Sequence, residues 1–495
     1  MNDIPYSVAG KEKRSGQKLE RYSPNETQLK VCDFHYPSPE DVSEAIASAQ
    51  KTFATWRYVP YQTRSTAIHK LADLIAKHRH EIAALQVFEV GKSWEQADGD
   101  LTEAIDFCRY YAEDIKRLGA GEKVGSVPGE TSIYHYIPKG VVGVIAPWNF
   151  PFAILTGMVA AALVTGNTVL IKPAEQSTAT AYWLYKLLKQ IPEIPLEAYH
   201  FLPGPGENIG AQIVKDPDVN MIAFTGSKAV GLSILEQAGQ VKPGQQKVKT
   251  AVIEMGGKNS IIIDSDADLD EAVAGVLYSA FGFQGQKCSA CSRVIVLPQN
   301  YDLFVERLIE ATSSIEIRNA QDPKCYVGPV VDEDSYKRLL GVIERAKSTE
   351  ATLAYSATEL PTNGYYVPPT IFTNVDPKSF LAQEEFFGPV LAVIKAKDLD
   401  DAIRIANGTE YALTSGIYSR SPSSIEKAKM TLEAGNIYIN RSITGAMVNR
   451  HPFGGFKMSG LGSKTGGPDY LKGFMYPKVT TENTMRRGFS PDLVN

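Results

Sequence analysis

Short runs of apolar, mostly β-branched residues alternate with helical stretches through the middle of the chain. The runs that predict strands lie at residues 141–145, 168–171, 199–202, 221–224 and 250–253. Because helical stretches separate these runs, the rhythm predicts a parallel, doubly wound sheet. A second α/β series begins near Ser260 and continues past Ile394, which places a domain boundary close to Gly257. A cleft between the two units is where we expect a functional site.

No charged residue occurs from Val141 through Ile171, a stretch longer than the roughly 20 residues that cross a bilayer. Pro147 and Pro151 break this stretch, since proline lacks the backbone N–H that a continuous helix requires. The stretch therefore predicts a strand, a loop, a helix over 154–164 and a second strand. A buried β-loop-α-β unit explains the hydrophobicity better than a membrane span.

Polar positions predict where further elements begin. Ser38 and Pro39 supply a helix cap and a proline suited to the first turn, which predicts a helix that reaches Trp56. A second helix is expected to follow through about His80. Residues 123–139 belong to neither α/β series and alternate in part like an exposed strand. This segment is predicted to be an arm for subunit contact.

Composition narrows the possible classes of protein. With 495 residues the chain is too long for one hydrophobic core, so two large domains with a smaller appendage are expected. The net charge of −5 at pH 7 gives no general attraction to nucleic acid. The five cysteines are too few for a disulfide framework and favour a reducing compartment. Because the first residues lack the features of a secretion signal, we expect a cytoplasmic protein.

Cys288 is the candidate nucleophile, because it follows a Gly-Gln turn and precedes small polar residues. Glu254 stands beside Gly256 and Gly257, which let the chain pass close to a bound group. Burial can raise the pKa of such a carboxylate and make it a base. For Glu254 taken alone, a structural carboxylate at a strand end is the alternative.

Cys288 and Cys291 also form a Cys-x-x-Cys pair, a spacing found in redox disulfides and in half of a zinc site. Neither alternative gathers support, because no second cysteine pair stands nearby and the seven histidines are dispersed. We expect no metal site, and Cys291 is interpreted as a packed small residue. The alternating aspartates at positions 264 to 270 fail as a calcium loop, because Leu269 stands where that loop needs glycine. They are expected to cap a helix.

Residues 224–227 (FTGS) follow a predicted strand and open a helix, whose free N–H groups and dipole could hold a phosphate. A plain helix cap accounts for the same residues equally well. Residues 204–210 (GPGENIG) resemble a dinucleotide fingerprint, but one residue too many separates the last two glycines. Alone, this segment predicts only a turn.

Seven motifs, found in this order, resemble the aldehyde dehydrogenase superfamily from about residue 20 to residue 479. They are PWNF at 147–150, KPAE at 172–175, FTGS at 224–227, EMGGK at 254–258, GQKC at 285–288, EEFFGP at 384–389 and PFGG at 452–455. The resemblance implies an α/β fold with a Rossmann-type NAD-binding domain, an α/β catalytic domain and a small β oligomerisation arm. The implied NAD-binding domain comprises residues 1–122 and 142–256, the catalytic domain 257–455 and the arm 123–141 and 474–495, while 456–473 returns to the NAD-binding side.

The resemblance also implies the chemistry, in which a cysteine attacks an aldehyde and NAD accepts a hydride. It gives Cys288 the role of nucleophile and Glu254 the role of the base that activates water. The Asn149 side-chain amide and the Cys288 backbone N–H would form an oxyanion hole. A homo-oligomer, at least a dimer, is implied as well, with no nucleic acid or membrane partner.

A set of cofactor contacts follows from the same resemblance. Lys172 and Glu175 would contact the adenine ribose, Gly226 and Ser227 the pyrophosphate, and Glu385 and Phe387 the nicotinamide ribose. Glu175 favours NAD, since a carboxylate repels the 2′-phosphate of NADP, whereas Lys172 leaves use of both open. The remaining expected contacts are Ile145, Ala146, Pro147, Trp148, Gly206, Gly210, Phe224, Thr225, Gly231, Met255 and Gly256.

Three segments resemble the L-glutamate γ-semialdehyde dehydrogenases more closely, namely residues 285–293 (GQKCSACSR), 440–448 (NRSITGAMV) and 466–470 (GGPDY). The implied substrate contacts are Ser289, Gly445 and Ala446 to an α-carboxylate, Phe150 and Phe453 as aromatic walls, and Glu103 to an α-ammonium. His451 departs from the glutamine that many relatives have at this position.

The resemblance therefore implies NAD-dependent oxidation of L-glutamate γ-semialdehyde, which is in equilibrium with 1-pyrroline-5-carboxylate, to L-glutamate in proline breakdown. Another semialdehyde dehydrogenase, such as one for succinate semialdehyde, is the alternative within the same chemistry. Glu254 argues against a CoA-acylating enzyme, because a base favours release of the product by water. From another class, the alternative is a noncatalytic protein that retains the fold.

Overall fold

The computed structural model describes residues 3–125 and 127–485. Its strands, in chain order, are β1 (Tyr6–Val8), β2 (Lys11–Lys13), β3 (Gln17–Tyr22), β4 (Lys30–Tyr36), β5 (Glu122–Lys123), β6 (Glu130–Pro138), β7 (Val141–Ile145), β8 (Thr168–Lys172), β9 (Tyr199–Phe201), β10 (Val219–Thr225), β11 (Thr250–Glu254), β12 (Asn259–Ile263), β13 (Cys291–Val296), β14 (Thr352–Ser356), β15 (Thr370–Thr373), β16 (Val390–Lys395), β17 (Tyr411–Ala412), β18 (Thr414–Tyr418), β19 (Asn436–Ile439), β20 (Phe456–Lys457), β21 (Gly460–Leu461) and β22 (Met475–Asn483). Its α-helices are α1 (Pro39–Trp56), α2 (Tyr61–Lys77), α3 (Arg79–Val90), α4 (Trp94–Gly119), α5 (Ala153–Val164), α6 (Thr178–Leu188), α7 (Ala211–Lys215), α8 (Lys228–Gly239), α9 (Leu269–Phe281), α10 (Tyr301–Ser313), α11 (Glu333–Lys347), α12 (Phe380–Gln383), α13 (Leu399–Asn407) and α14 (Pro422–Thr431).

The first large sheet has the strand order β21-β11-β10-β7-β8-β9. The strands from β11 to β9 are parallel, and β21 at the edge is antiparallel to β11. These parallel strands are the ones predicted from the apolar runs, and their observed ends differ from the predicted ones by no more than two residues. On β7, Val142 and Val144 pack in one core, whereas Val141 and Ile145 pack in another on the opposite face. The sheet is therefore buried on both faces, as expected for a doubly wound arrangement.

The uncharged stretch forms β7, a loop, α5 and β8, as predicted. Helix α5 is almost entirely buried and packs against α4, where a Cβ on Gly157 would lie 3.0 Å from the Phe107 ring. A helix that is apolar on all sides needs such a buried place. Within residues 3–125 and 127–485, no helix is both long enough and apolar enough to span a bilayer.

The second large sheet has the order β14-β15-β16-β13-β12-β18-β19. Its neighbouring strands are parallel except for β14, which pairs antiparallel with β15. Ile262 on β12 packs in the core on one face, while Ile261 and Ile263 pack in the core on the other. The second α/β series predicted from the sequence is thus a second buried sheet. Residues 255–258 join β11 of the first sheet to β12 of the second.

The segment predicted to be an arm forms part of a separate three-stranded antiparallel sheet of order β22-β6-β5. Strands β6 and β22 pair from Pro138 with Met475 to Glu130 with Asn483. Most side chains of β22 are exposed, and the strand lies at an edge of this sheet. Residues 486–495 of the predicted arm lie outside the described residues. The domain boundaries stay a prediction.

Helix α1 begins where its cap predicts. The Ser38 hydroxyl accepts a hydrogen bond from Asp41 N at 3.2 Å, and the Asp41 carboxylate accepts one from Ser38 N at 3.4 Å. This reciprocal pair satisfies two N–H groups that a helix start leaves without partners. The second predicted helix ends earlier than expected, at Lys77, because His78 leaves the helical conformation with φ −104° and ψ 18° before α3 begins.

Glu89 joins α3 to the start of α6. Its buried carboxylate accepts hydrogen bonds from Ala179 N at 2.7 Å, from Thr180 N at 2.8 Å and from the Thr180 hydroxyl at 2.6 Å. The first N–H groups of a helix have no partner within it, so this side chain satisfies donors that the fold would otherwise bury unpaired.

Replacement of Glu89 by alanine is expected to lower the free energy of unfolding by about 2–3 kcal/mol, because buried donors lose their acceptor. The thermal midpoint should therefore fall by a few degrees, and Glu89→Gln, which keeps one acceptor oxygen, should cause a smaller fall. Glu81→Ala on the exposed side of α3 is the matched control. Equal midpoints for Glu89→Ala and Glu81→Ala would contradict this account.

Candidate active site

The chain makes a left-handed turn just before the candidate nucleophile. Phe283 and Gln284 have φ values of 51° and 56°, which residues with a Cβ rarely adopt. Gln284 Nε2 donates to the Pro329 carbonyl at 2.6 Å and so helps to fix the turn. Gly285 follows with a φ of 66°, and a Cβ there would lie 2.5 Å from the Gly388 carbonyl. Glycine is therefore required at this position of the GQKC motif.

Cys288 lies beside the connection between the two large sheets. Asn259, the first residue of β12, donates from Nδ2 to the Cys288 carbonyl at 2.7 Å and to the Ala290 carbonyl at 2.9 Å. A Cβ on Gly257 would lie 2.8 Å from the same Cys288 carbonyl. The motif at 254–258 therefore runs directly against the loop of the nucleophile. Sequence reasoning missed Asn259, although its position directly after that motif was an available signal.

The loop after β7 contains three predicted cofactor contacts, at residues 146–148. Ala146 N donates to the Lys172 carbonyl at 3.1 Å, so the loop begins beside the end of β8. Pro147 follows, and Trp148 then meets Phe387 edge-on, with ring centroids 5.5 Å apart. The loop thus contacts both Lys172 and Phe387, two predicted cofactor contacts that are far from it in sequence.

Asn149, the next residue of this loop, is buried, and its side-chain amide donates to the Gln286 carbonyl at 3.1 Å. Gln286 is itself fixed, because its Oε1 accepts a hydrogen bond from Val331 N at 3.0 Å. The amide predicted for the oxyanion hole therefore lies against the loop that leads to Cys288. Since an amide nitrogen carries two hydrogens, one of them remains for a substrate oxygen.

One cavity brings the predicted nucleophile, base and substrate contacts together. Of the predicted residues, its lining contains Glu103, Phe150, Phe224, Thr225, Glu254, Met255, Cys288, Ser289, Gly445, Ala446 and Phe453. Every predicted substrate residue is among them. The arrangement can hold an aldehyde beside a thiol and a carboxylate, with hydrogen-bond donors at hand for a second polar group.

The cavity also has walls that sequence reasoning missed. They are Phe107, Ile154, Met158, Val252, Thr465 and Tyr470. Helical spacing was the available signal for two of them, since Phe107 lies one turn beyond Glu103 on α4 and Met158 one turn beyond Ile154 on α5. The same spacing is typical of core positions, so the pattern alone does not select a cavity wall.

Lys172 and Glu175, predicted to contact the adenine ribose, lie near Gly206. Lys172 Nζ donates to Glu175 Oε1 at 2.7 Å. A Cβ added to Gly206 would have its nearest contact at Lys172 Nζ, 3.8 Å away, and one added to Gly210 at Ile145 Cδ1, 4.0 Å away. These glycines thus leave space beside the ion pair. The segment predicted as a turn is a single π-helical turn, Gly206–Gly210, that continues into α7.

The start of α8 carries the predicted pyrophosphate contacts. Ser227 Oγ accepts a hydrogen bond from Val230 N at 3.4 Å, so the residue that follows Gly226 is a helix cap. A Cβ on Gly231 would lie 2.6 Å from Met255 Sδ, which explains why glycine is needed where α8 approaches β11. The remaining free N–H groups of this helix start suit an anion, so a cap and a phosphate site are compatible here.

Glu385 lies against the connection between the sheets. Gly257 N donates to Glu385 Oε1 at 2.9 Å, and a Cβ on Gly256 would collide with the same carboxylate. Phe387 has a left-handed φ of 55°, which turns the chain after this contact. Gly256 and Gly257, which follow the base in sequence, therefore contact Glu385, and Gly257 also contacts the loop of the nucleophile.

Burial determines the charge states at the centre of the site. It raises the pKa of the Glu254 carboxyl to about 8, although the Gly455 N–H and the Lys464 charge lower it. Burial also raises the pKa of the Cys288 thiol to about 12, with Glu254 and Glu385 adding to the effect. The thiol is therefore protonated at neutral pH, and a base must take its proton when it attacks.

Glu103 shares its surroundings with other buried charges. Lys92 Nζ lies 3.7 Å from Asp100 and 4.1 Å from the centre of the Phe150 ring. Burial and the Asp100 carboxylate raise the pKa of Glu103 to about 8, while Lys92 and Lys287 lower it. The aromatic wall that Phe150 provides is thus backed by a cluster of charges.

The Cys-x-x-Cys spacing forms no disulfide in this structure. Cys291 Sγ donates to the Arg293 carbonyl at 3.4 Å, and all five cysteines are unpaired. In the part of the chain that the structure describes, no group of three or more His, Cys, Asp or Glu side chains is arranged to hold a metal ion. Asp268 caps α9, as predicted for the aspartate series.

His451 supports the loop that carries Gly445 and Ala446. Its Nδ1 accepts a hydrogen bond from Met447 N at 3.3 Å, and its Nε2 lies 3.1 Å from Arg441 Nη1. Burial and the neighbouring arginines lower the pKa of His451, so the ring is neutral near pH 7 and able to accept a hydrogen bond. The residue that departs from the glutamine of many relatives therefore has a contact within the loop.

A sequence profile of the aldehyde dehydrogenase family matches residues 11–480. The chain belongs to this family. Membership and the parallel sheets confirm the predicted α/β fold class of this aldehyde dehydrogenase. Its relatives include the 1-pyrroline-5-carboxylate dehydrogenase of Anoxybacillus flavithermus, which is 42% identical over 481 residues that cover 97% of this chain and 93% of that protein.

Two solved structures are similar to this aldehyde dehydrogenase. The 1-pyrroline-5-carboxylate dehydrogenase from Thermus with bound NAD has a TM-score of 0.95 and 40% identity over 97% of this chain and 93% of that chain. Proline utilization A from Bdellovibrio bacteriovorus has a TM-score of 0.97 and 54% identity over 99% of this chain. The match covers 51% of that longer protein, so this chain spans about half its length.

The raised pKa of Cys288 predicts how the free enzyme reacts with iodoacetamide. Only the thiolate reacts, so the rate of alkylation should rise about tenfold per pH unit from about pH 7 to about pH 10, with no plateau. Mass spectrometry of the modified peptide gives this rate. Cys288→Ala is the control for the other cysteines, which are buried. A plateau below pH 9 would show that the thiol ionises more readily than its surroundings indicate.

Proposed function

We propose that this aldehyde dehydrogenase oxidises L-glutamate γ-semialdehyde to L-glutamate with NAD. The observation that carries the proposal is one cavity that holds Cys288 and Glu254 together with groups suited to a carboxylate, at Ser289, Gly445 and Ala446. The relatives named above support it, because 1-pyrroline-5-carboxylate is the cyclic form of the same aldehyde. The reaction belongs to the breakdown of proline.

The residues present fit NAD. The Glu175 carboxylate can accept hydrogen bonds from ribose hydroxyls, and its bond to Lys172 holds it near Gly206, which has no side chain to block a nucleotide. Ser227 and the free N–H groups of α8 suit the pyrophosphate. When bound there, NAD accepts the hydride that leaves the aldehyde carbon.

Cys288 is proposed to begin the reaction. Its sulfur forms a bond to the aldehyde carbon, and its proton passes to solvent water, so that the Glu254 carboxylate stays ionised for the later step. The free hydrogen of the Asn149 amide and the Cys288 N–H hold the oxygen that becomes negative. Loss of hydride from this adduct leaves a thioester on Cys288.

Glu254 is proposed to complete the reaction. Its Oε2 is buried and accepts no hydrogen bond from the residues that the structure describes, so this oxygen keeps its capacity to accept a proton. The carboxylate takes a proton from the water, which attacks the thioester carbon. The carbon–sulfur bond then breaks, Cys288 recovers a proton and the carboxylic acid is released.

The charges of the cavity suit an amino acid aldehyde. Glu103 can pair with an α-ammonium, and the rings of Phe150 and Phe453 can enclose the methylene chain between the two ends. Succinate semialdehyde is the second candidate, because it carries the carboxylate but no ammonium. It would leave Glu103 without its partner, and a charged hydrogen bond of this kind is worth about 1.5–3 kcal/mol.

Initial rates of NADH formation test the substrate assignment. With NAD, kcat/KM for L-glutamate γ-semialdehyde should exceed that for succinate semialdehyde by about 10-fold to 100-fold, and that for propanal by more, since propanal lacks both charged groups. Glu103→Gln should reduce the first of these ratios and leave the rate with propanal unchanged. Equal kcat/KM values for the two semialdehydes would overturn the substrate while leaving the aldehyde chemistry in place.

Glu254→Gln should trap the thioester. The variant should release about one NADH per site in a rapid burst and then nearly stop, because hydride transfer precedes the attack of water. In the unsubstituted enzyme a raised pKa means that the base form appears only as the pH rises, so the hydrolytic rate should increase through about pH 8. Stopped-flow absorbance measures both phases. Full steady-state turnover by Glu254→Gln would show that another group activates the water.

We also propose a cytoplasmic location and a homo-oligomer. The unpaired cysteines support a reducing compartment. Strand β22 supports self-association, because it lies at a sheet edge and exposes apolar side chains such as Val479. We assign the first large sheet to the NAD-binding domain, the second to the catalytic domain and the three-stranded sheet to the oligomerisation arm.

A further inference from the structure

Lys464 and the proposed base both lie near Gly454, where an added Cβ would be 3.4 Å from Lys464 Cα and 2.7 Å from Glu254 Oε1. Neutral oxygens bind the Lys464 ammonium. Its Nζ donates to the Gly435 carbonyl at 2.6 Å, to Asn436 Oδ1 at 2.9 Å and to the Gly454 carbonyl at 2.9 Å. The Pro452 carbonyl lies 3.5 Å from the same nitrogen. The lysine therefore joins the start of β19 to residues 452–455, which follow the loop that carries Gly445 and Ala446.

That segment, residues 452–455, carries part of the active site. Asn436 Nδ2 donates to the Pro452 carbonyl at 3.0 Å, which fixes the start of the segment. Phe453 exchanges two backbone hydrogen bonds with Thr465, of 2.9 Å and 2.8 Å, and its ring lines the cavity. The position of this aromatic wall thus depends on the same contacts that hold the segment.

The segment also contacts Glu254. The Gly455 N–H lowers the pKa of the Glu254 carboxyl, and a Cβ on Gly454 would lie 2.7 Å from Glu254 Oε1. The charge of Lys464 lowers the pKa of Glu254 against the effect of burial. The other titratable groups that act on this carboxylate are Cys288 and Tyr470, and burial raises the pKa of both, so they are neutral near pH 7. Among the residues that the structure describes, Lys464 is thus the cation that lowers the pKa of the base.

We propose that Lys464 is a positioning residue for the general base: its ammonium holds residues 452–455, whose backbone at Gly454 lies against the Glu254 carboxylate. Its positive charge also favours the ionised form of Glu254. This inference rests on the proposed function, because it assumes that Glu254 activates water. A neutral side chain of similar length could fill the same space but could not supply the charge. A purely structural lysine would affect stability, whereas this role sets the pH at which water attack begins.

The test compares the full-length enzyme with its Lys464→Met variant. With L-glutamate γ-semialdehyde and NAD, the NADH burst and the following steady-state rate are measured from about pH 6 to about pH 10. The burst should stay near one NADH per site. The pH of half-maximal steady-state rate should rise by about one unit, as expected when an opposite charge near a carboxylate is removed. KM should also rise, because Phe453 is less firmly held.

Three further variants separate the effect of the Lys464 charge on Glu254 from its effect on the position of residues 452–455. Lys464→Arg keeps the charge and should return the pH profile toward that of the unsubstituted enzyme. Asn436→Ala removes one contact of the segment without removing a charge, so it should raise KM and leave the midpoint of the profile unchanged. Lys457→Met is the matched control, because this nearby ammonium bonds to the Asn407 carbonyl and to Glu433, away from the cavity. In this variant, KM and the midpoint of the pH profile should both stay unchanged.

An unchanged midpoint for Lys464→Met would overturn the proposal. The same conclusion would follow from a rate that falls equally at every pH together with a lower unfolding temperature, since that result describes a structural lysine. If the unsubstituted enzyme forms no NADH from L-glutamate γ-semialdehyde, the proposed function fails and the comparison is made with propanal. A shifted midpoint with propanal would still support the role of Lys464, and the absence of turnover with both aldehydes would refute it.

Discussion

The active site depends on the short connection between two parallel sheets. Strand β11 ends at Glu254, and after residues 255–258 strand β12 begins at Asn259, whose amide binds the Cys288 carbonyl. Gly257 makes this approach possible, because a Cβ there would lie 2.8 Å from that carbonyl. A carboxylate from one sheet and a thiol held by the other are thus fixed relative to each other by backbone contacts. The cavity and its aromatic walls lie beside this connection, and Glu385, a predicted cofactor contact, is bonded to it.

The predictable parts of the protein are those where one physical cause dominates. The five parallel strands of the first large sheet could be predicted because they are buried on both faces and therefore read as continuous apolar runs. For the second sheet, only the presence of an α/β series from about Ser260 to beyond Ile394 could be predicted. Cys288 could be predicted because a glycine turn and small polar neighbours give a thiol the access that a nucleophile needs. Phe107 and Met158 could not, because a cavity wall and a core position share the same helical spacing. The positive φ of Phe283 and the contacts of Lys464 depend on segments distant in sequence, which no local pattern contains.

The substrate end of the cavity combines apolar walls with unusual charges. Lys92 and Asp100 are fully buried behind Phe150, and Glu103 and Lys287 extend the cluster toward the nucleophile. Burying ions is unfavourable unless they are well paired, so such a cluster is weak evidence for stability and is better explained by recognition. An amino acid aldehyde carries both an ammonium and a carboxylate, and it can complete the pairing that the protein alone leaves partial.

The edge strand β21 has a consequence for motion. It pairs with the end of β11, where Gly460 lies opposite Glu254, and Met255 N donates to the Ser459 carbonyl at 2.8 Å. The backbone that carries the base is therefore bonded on both sides, to β10 and to β21. Displacement of Glu254 with its strand would break several hydrogen bonds at once, whereas rotation about its side-chain bonds breaks none of them. A change in the position of the Glu254 carboxylate would therefore come from its side-chain torsions, within a sheet that stays in place.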